Sequence, residues 1–378
     1  MKKICFVSGS SPEFLGGVSL YQRNLINYAK KQKLDLEFTW IYSGKRNRKY
    51  NLKDIGCIEI KSFKYPILKE FSFAKKVERF LYGKKFDIIN THANWGYCLK
   101  KYKKKKDQEI VHTYHGVTNP YMKVQFARFG FLKYLFYPFL PFFYFIEKPP
   151  IKKADKIICV SEKVKKELGQ IYNSNKNMEV IRTGVNLNQF KEVSKGKNRK
   201  ELKLDKDKIY GLYSGRGGYW NKGLDRVISL GREIYKKNKK FKLIVLGAEK
   251  ENCEKYLEEK FVIHKGIIDR EKISKYYSAC DLFFCLSRSE GGAPTLVVGE
   301  AMASGCFIVF SEDSKQEIIE NEKEGLIINT FGENSAKKIL EILGNKKLLK
   351  KIQENSKKKI KNFNLDSWGE KYFGVLLK

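Results

Sequence analysis

None of the 8 cysteines (Cys5, Cys57, Cys98, Cys159, Cys253, Cys280, Cys285, Cys306) belongs to a CxxC pair. That removes both a zinc-ligand spacing and the dense framework of a disulfide-stapled domain. Most sit in apolar runs such as IICVS and LFFCLS, where cysteine behaves as a small hydrophobe, so a reducing compartment is expected. Acidic residues are also scarce, 42 against 76 basic ones, for a net charge of +34. Such a balance attracts anions, whether nucleotide phosphates, nucleic acid or an anionic membrane surface. The lysines are spread along the whole chain (100–106, 237–242, 357–361), however, so the charge alone names no partner. No recognisable nucleic-acid module accompanies it, and no nucleic-acid partner is expected. The opening MKKICFVSGS lacks the pattern of a secretion signal, which points to the cytoplasm. No clean run of the roughly 20 apolar residues that a spanning helix needs is present.

What the chain does have is alternation. Short apolar runs (KICFVSG, DLEFTWIYS, CIEIKSF, FDIINTH, EIVHTYHG, KIICVS, MEVIRTG) alternate with helical segments in the first half. A second series (IYGLYSG, FKLIVLG, FVIHKG, DLFFCLS, FIVFS, LIIN) follows a stretch without periodicity. This predicts an α/β protein with two doubly wound parallel sheets, and 378 residues exceed the size at which one core usually splits. Residues 1–185 and 186–362 are the expected domains. Val185–Asp207 reads as a linker with a short helix, and the amphipathic terminal segment 363–378 is expected to pack back on the first domain.

Chemistry concentrates where strands give way to glycine turns. After strand DLFFCLS comes SRSEGGAPTLVVGEAMASG, with Glu290 in the turn and Glu300 on a helix opening near Thr295 and stopped by Gly305. The open amides of such a helix start favour an anion such as a pyrophosphate. After IYGLYSG, Arg216 and Lys222 flank another glycine loop. There a guanidinium fork and an ammonium point charge suit a diphosphate. Gly16 and Gly17 precede the first helix and allow close approach of a ligand, although the loop is not a GxGxxG fingerprint. His92 and His115 both end strands, where α/β proteins bind ligands; His112 and His264 lie inside strands and read as structural. Asp205-Lys-Asp207 is formally a DxD, but in lysine-rich surroundings it reads as a solvated stretch, not a metal site.

In this order GVNLNQF, GRGGYWNKG and ACDLFFCLSRSEGGAPTLVVGEAMASG resemble the nucleotide-sugar glycosyltransferases of family 4, glycosyl transferase group 1. The early Gly-Gly-Val, the TYHG strand end and ADKIICVSE extend the resemblance over nearly the whole chain. It implies a GT-B fold, two facing Rossmann-like domains around a cleft, and retaining transfer of a hexose-type sugar without a metal or other cofactor. The donor would be a nucleoside diphosphate sugar, UDP- or GDP-linked. Glu300 would bond the ribose, and Glu290 the sugar hydroxyls with Gly291 and Gly292 in backbone contact. Arg216 and Lys222 would hold the diphosphate. Gly266 and Ile267 would lie near the base, Gly16 and Gly17 near the phosphates and acceptor, and His115 would line the catalytic cleft. Two spacings depart from the family pattern: the gap from Glu290 to Glu300 and that from Arg216 to Lys222 are both longer than usual.

The compositional anomaly is Phe126–Ile146, with eleven aromatics among which Arg128, Lys133, Pro138 and Pro141 are interspersed. It is expected to lie peripherally on the inner, anionic face of a membrane, which suits a glycan or lipid-linked acceptor; the alternative is a hairpin buried against the first sheet. Other readings of the chain are a sugar-nucleotide epimerase of the same fold, a basic nucleic-acid binder, and a non-catalytic sugar-binding protein.

Overall fold

The computed structural model describes residues 1–63, 66–174, 176–215, 219–247 and 253–378. The chain divides into two units, Met1–Thr183 with Asp366–Lys378, and Gly184–Leu365.

The first unit holds an 8-stranded sheet in the order β3-β4-β2-β1-β5-β6-β7-β8. Its strands are β1 (Lys2–Ser8), β2 (Leu36–Gly44), β3 (Arg48–Leu52), β4 (Ile55–Lys61), β5 (Ile88–His92), β6 (Glu109–Tyr114), β7 (Lys156–Cys159) and β8 (Met178–Val180). Every neighbouring pair is parallel except β3 with β4. Parallel strands are covered by helices on both faces, which is why Ile4, Cys5, Phe6 and Val7 can be apolar in succession and all fully buried. The terminal helix Leu365–Leu376 buries Trp368, Tyr372 and Phe373 in this unit. Lys31 pairs with Asp366 at 2.7 Å and Lys156 Nζ donates to the Val375 carbonyl at 2.9 Å.

The second unit holds a 6-stranded sheet, β11-β10-β9-β12-β13-β14, parallel throughout. Its strands are β9 (Ile209–Ser214), β10 (Phe241–Leu246), β11 (Val262–Gly266), β12 (Leu282–Cys285), β13 (Phe307–Ser311) and β14 (Leu326–Ile328). The pleat sends alternate residues to opposite cores. Phe241, Leu243 and Val245 of β10 join one core with helices Leu224–Lys237 and Glu333–Gly344. Ile244 and Leu246 join the other with helices Arg270–Ala279 and Leu296–Ala303.

The expected linker at 185–207 is instead folded into the second unit. Phe190 is fully buried, and the Arg199 guanidinium donates to the Ala279 carbonyl and Asp281 Oδ2 at 3.0 and 2.7 Å. A buried arginine needs such partners, and they lie about 80 residues away, so no local periodicity announces them.

Counted within each unit, both sheets reverse direction between their first and fourth parallel strands, β1 and β5 in one, β9 and β12 in the other. Strands wound outward from such a switch point leave a crevice at their carboxyl ends, where open α/β sheets bind ligands. The glycine turns and strand-end histidines of the sequence lie at these two places or on the adjoining strand ends.

Candidate functional site

In the second unit, two loops meet beyond the ends of β9 and β12. Gly223, at φ 68°, precedes helix Leu224–Lys237, and a Cβ there would stand 2.1 Å from the Leu286 carbonyl oxygen. Only glycine permits that conformation and that approach. The loop thus closes onto the exit of β12, and Lys222 Nζ lies 2.8 Å from Glu290 Oε1. The Glu290 side chain is 10% exposed and that of Lys222 30%, so the pair works in a medium less screening than water. Arg216, with Gly217 and Gly218, lies outside the described residues.

Arg288 holds these two loops together. Its guanidinium takes both Asp225 carboxylate oxygens, at 2.8 and 2.6 Å, and lies 3.4 Å from the centre of the Trp220 ring. Its own amide donates to the Asn221 carbonyl at 2.8 Å. A planar fork that is both paired and stacked is a rigid connection. Sequence reasoning missed Arg288 and Asp225, because one basic residue among 76 carries no local signal.

Glu300 projects from helix Leu296–Ala303, which Thr295 caps and after which Gly305 adopts φ 81°. The Thr295 amide donates to Gln316 Oε1 and Gln316 Nε2 donates back to Thr295 Oγ1, each at 3.0 Å. Glu300 is 1% exposed, and its Oε1 accepts from Arg270 Nη2. Burial pushes its carboxyl above the usual range, with Arg270 opposing. Glu300 Oε2 makes no further hydrogen bond of ordinary geometry among the described residues. Arg270 lies 4.7 Å from the centre of the Phe190 ring, so the segment mistaken for a linker supports this carboxylate. Elsewhere on the same carboxyl edge, Gly266 ends β11 at φ 64° and Ile267 is 51% exposed. Gly292 is cramped, its notional Cβ 3.2 Å from the Pro294 oxygen, while Gly291 leads the turn beside Glu290.

In the first unit, Gly16 caps helix Gly17–Lys31, and a Cβ on Gly17 would meet open space. His92 ends β5 and His115 follows β6, with His92 Nδ1 3.0 Å from His115 Nε2. His92 Nε2 is 2.8 Å from Asn90 Oδ1, which also accepts from the Tyr372 hydroxyl at 2.9 Å. Burial lowers the pKa of His92 far below the ordinary value and that of His115 to about 4, so both rings are neutral at pH 7. His112 and Thr91 bond each other at 2.7 Å deeper in the sheet. Asn90 and Tyr372 were not legible beforehand: their roles arise only when the terminal helix reaches β5.

Among the described residues no group of three or more His, Cys, Asp or Glu could hold a metal ion, and no helix is long and apolar enough to cross a membrane.

Two family models match the chain, Glycosyltransferase Family 4 over residues 15–189 and Glycosyl transferases group 1 over residues 194–359. A glycosyltransferase of Methanocaldococcus jannaschii, itself uncharacterized, is 28% identical over 264 residues. That match spans 66% of this chain and 63% of the relative's length. Among solved structures, sucrose-phosphate synthase from Thermosynechococcus elongatus superposes with a TM-score of 0.82 at 19% identity, covering 99% of this chain and 98% of that one. Anabaena HepE, solved in complex with UDP, gives 0.72 at 16% identity over 100% and 99%. These structural likenesses establish the fold, GT-B, with its two Rossmann-like units. Two models that together run from residue 15 to residue 359 establish the family, and the chain belongs to the group 1, family 4 glycosyltransferases.

Proposed function

We propose that the protein transfers a hexose-type sugar from a nucleoside diphosphate sugar to a hydroxyl of a glycan or lipid-linked acceptor, retaining the anomeric configuration. The observation that carries this reading is the Lys222–Glu290 pair together with the buried Glu300 on the helix after β12, at the carboxyl edge of a Rossmann-ordered sheet. Lys222, with Arg216, neutralises the diphosphate as it leaves, which is why no metal is invoked. Glu290 and the backbone of Gly291 and Gly292 receive the sugar, and Glu300 accepts from the ribose. Gly266 and Ile267 border the base. In the first unit, where the acceptor binds, Gly16 and Gly17 serve the phosphates and acceptor, and His115 serves the reacting sugar and acceptor. As the glycosidic bond lengthens, the sugar takes on oxocarbenium character. The leaving phosphate then draws the proton of the hydroxyl attacking on the same face, so no protein nucleophile is needed. HepE was solved with UDP-glucose as well as UDP, which favours a uridine donor here.

The aromatic segment supports an acceptor near a membrane. Phe131 is 83% exposed, and Leu135, Phe139 and Phe145 are exposed with it. Arg128 and Lys133 lie over the rings of Phe129 and Tyr134. Apolar side chains interleaved with cations suit an anionic lipid surface.

The test is thermal stabilisation by UDP, GDP, ADP and their common sugars, with Glu300→Ala and Arg216→Ala for comparison. One nucleoside diphosphate is expected to stabilise the protein selectively, and both substitutions are expected to abolish the shift. No shift with any of them overturns the donor site.

A further inference from the structure

The histidine pair has a defined direction. Asn90 Nδ2 donates to the Val111 carbonyl at 3.2 Å, and a carbonyl can only accept. The Asn90 amide is therefore oriented, with Oδ1 towards His92. Because Oδ1 has no proton to give, His92 Nε2 must carry one. A neutral imidazole has only one such proton, so His92 Nδ1 is a lone pair. At 3.0 Å from it, His115 Nε2 must then be the donor. The single remaining nitrogen, His115 Nδ1, is left as an acceptor, and it has no protein partner among the described residues. The Tyr372 hydroxyl strengthens the arrangement by donating to the same Asn90 oxygen and bonding Thr113 Oγ1 at 2.7 Å. Tyr21 packs edge-on against His115 with ring centroids 4.8 Å apart, which holds the imidazole plane.

We infer that Asn90, His92 and Tyr372 are positioning residues that fix His115 with its proton on Nε2, so that Nδ1 accepts a hydrogen bond from a hydroxyl of the sugar or acceptor. A phosphate oxygen has no proton to offer this nitrogen, so His115 reads a hydroxyl and leaves the diphosphate to Lys222 and Arg216. This rests on the transferase reading for the identity of the ligand, but the direction of the chain does not.

Nitrogen-15 NMR of histidine-labelled full-length protein, without substrate, reports both tautomers. Wild type is expected to show the Nε2–H form at His92 and at His115; an Nδ1–H form at His115 overturns the inference. Asn90→Asp replaces an acceptor that cannot be charged with one that is. His92 should then become doubly protonated and drive the His115 proton to Nδ1. As a milder pair, His92→Gln can still accept from His115 and donate to Asn90, whereas His92→Leu can do neither. The Leu variant is expected to lose about tenfold in kcat with unchanged KM for the donor, and Gln to recover most of it. Equal rates in the two variants, both folded by circular dichroism, refute a positioning role. A protein with the expected tautomers that binds no nucleoside diphosphate fails the transferase reading instead, and with it the ligand half of the inference.

Discussion

Glu300 and Glu147 are both buried carboxylates, and their surroundings treat them differently. Glu300 has a cation, Arg270. Removing that partner by Arg270→Ala should cost about 3 kcal/mol, because a buried charge is left uncompensated; adding Glu300→Ala should restore much of the loss in denaturant titrations. Among the described residues Glu147 has only uncharged hydrogen-bond partners. It accepts from the Thr118 amide at 2.9 Å, the Thr118 hydroxyl at 2.9 Å and the Tyr172 hydroxyl at 2.6 Å. Desolvation outweighs these bonds and pushes its carboxyl from 4.5 to about 7. The folded chain then holds a proton that the unfolded chain releases between those values. Stability from this group therefore falls as pH rises across the window, by on the order of 3 kcal/mol. The buried neutral histidines act in the opposite sense below 6.5, their folded pKa being depressed. The difference between Glu147→Gln and wild type isolates the glutamate, and the variant should gain stability relative to wild type from pH 5 to pH 8. At this scale the sequence was legible where spacing carried the signal, as with Glu290 and Glu300 flanking a glycine turn. It was silent on Arg270 and Arg288, whose partners lie 30 and 63 residues away.

Among elements, the parallel strands were legible because burial on both faces demands continuous apolar runs. The strand that escaped notice, β3, is polar, largely exposed and antiparallel to β4 at the sheet edge. Its turn is equally disguised: Lys53 and Asp54 both take positive φ, 45° and 64°, where Asn-Gly would have announced a hairpin. Lys53→Asn with Asp54→Gly should therefore stabilise the protein by about 1 kcal/mol, measurable as a raised denaturation midpoint with the same slope. The aromatic segment stood out by composition and was expected on a lipid surface, with burial against the first sheet as the alternative, since prolines and rings suit either. In the structure it forms two short 3-10 turns, Gly130–Leu135 and Tyr137–Phe139, followed by helix Leu140–Lys153, with Phe131, Leu135, Phe139 and Phe145 exposed and Phe126, Leu140 and Ile146 buried. Replacing Phe131, Leu135 and Phe139 by serine should weaken sedimentation with phosphatidylserine vesicles at least tenfold while leaving nucleotide binding intact. Undiminished sedimentation would remove the membrane from the proposal.

For the molecule as a whole, the restart of strand–helix alternation announced two sheets, and the strand orders put glycine turns and histidines at their switch points or on adjoining strand ends. The terminal segment was expected to pack back on the first domain; what the sequence could not convey was that the two crossings of the chain lie side by side. The chain leaves the first unit at Thr183 and comes back at Asp366. At that crossing the Val185 amide donates to the Phe363 carbonyl at 2.7 Å, and Val185 bridges Asn364. The second unit is thus an insertion whose beginning and end already touch. Such a segment is a cassette: it can be lifted out without stretching its ends or leaving a frayed terminus. Residues 184–365, expressed alone, should fold and retain the nucleotide preference of the full chain, which isothermal titration against the same nucleoside diphosphates would read directly. On the proposed assignment of the donor to the second unit and the acceptor to the first, one exchange with two neighbouring breakpoints would change the donor such an enzyme accepts while keeping the acceptor it serves.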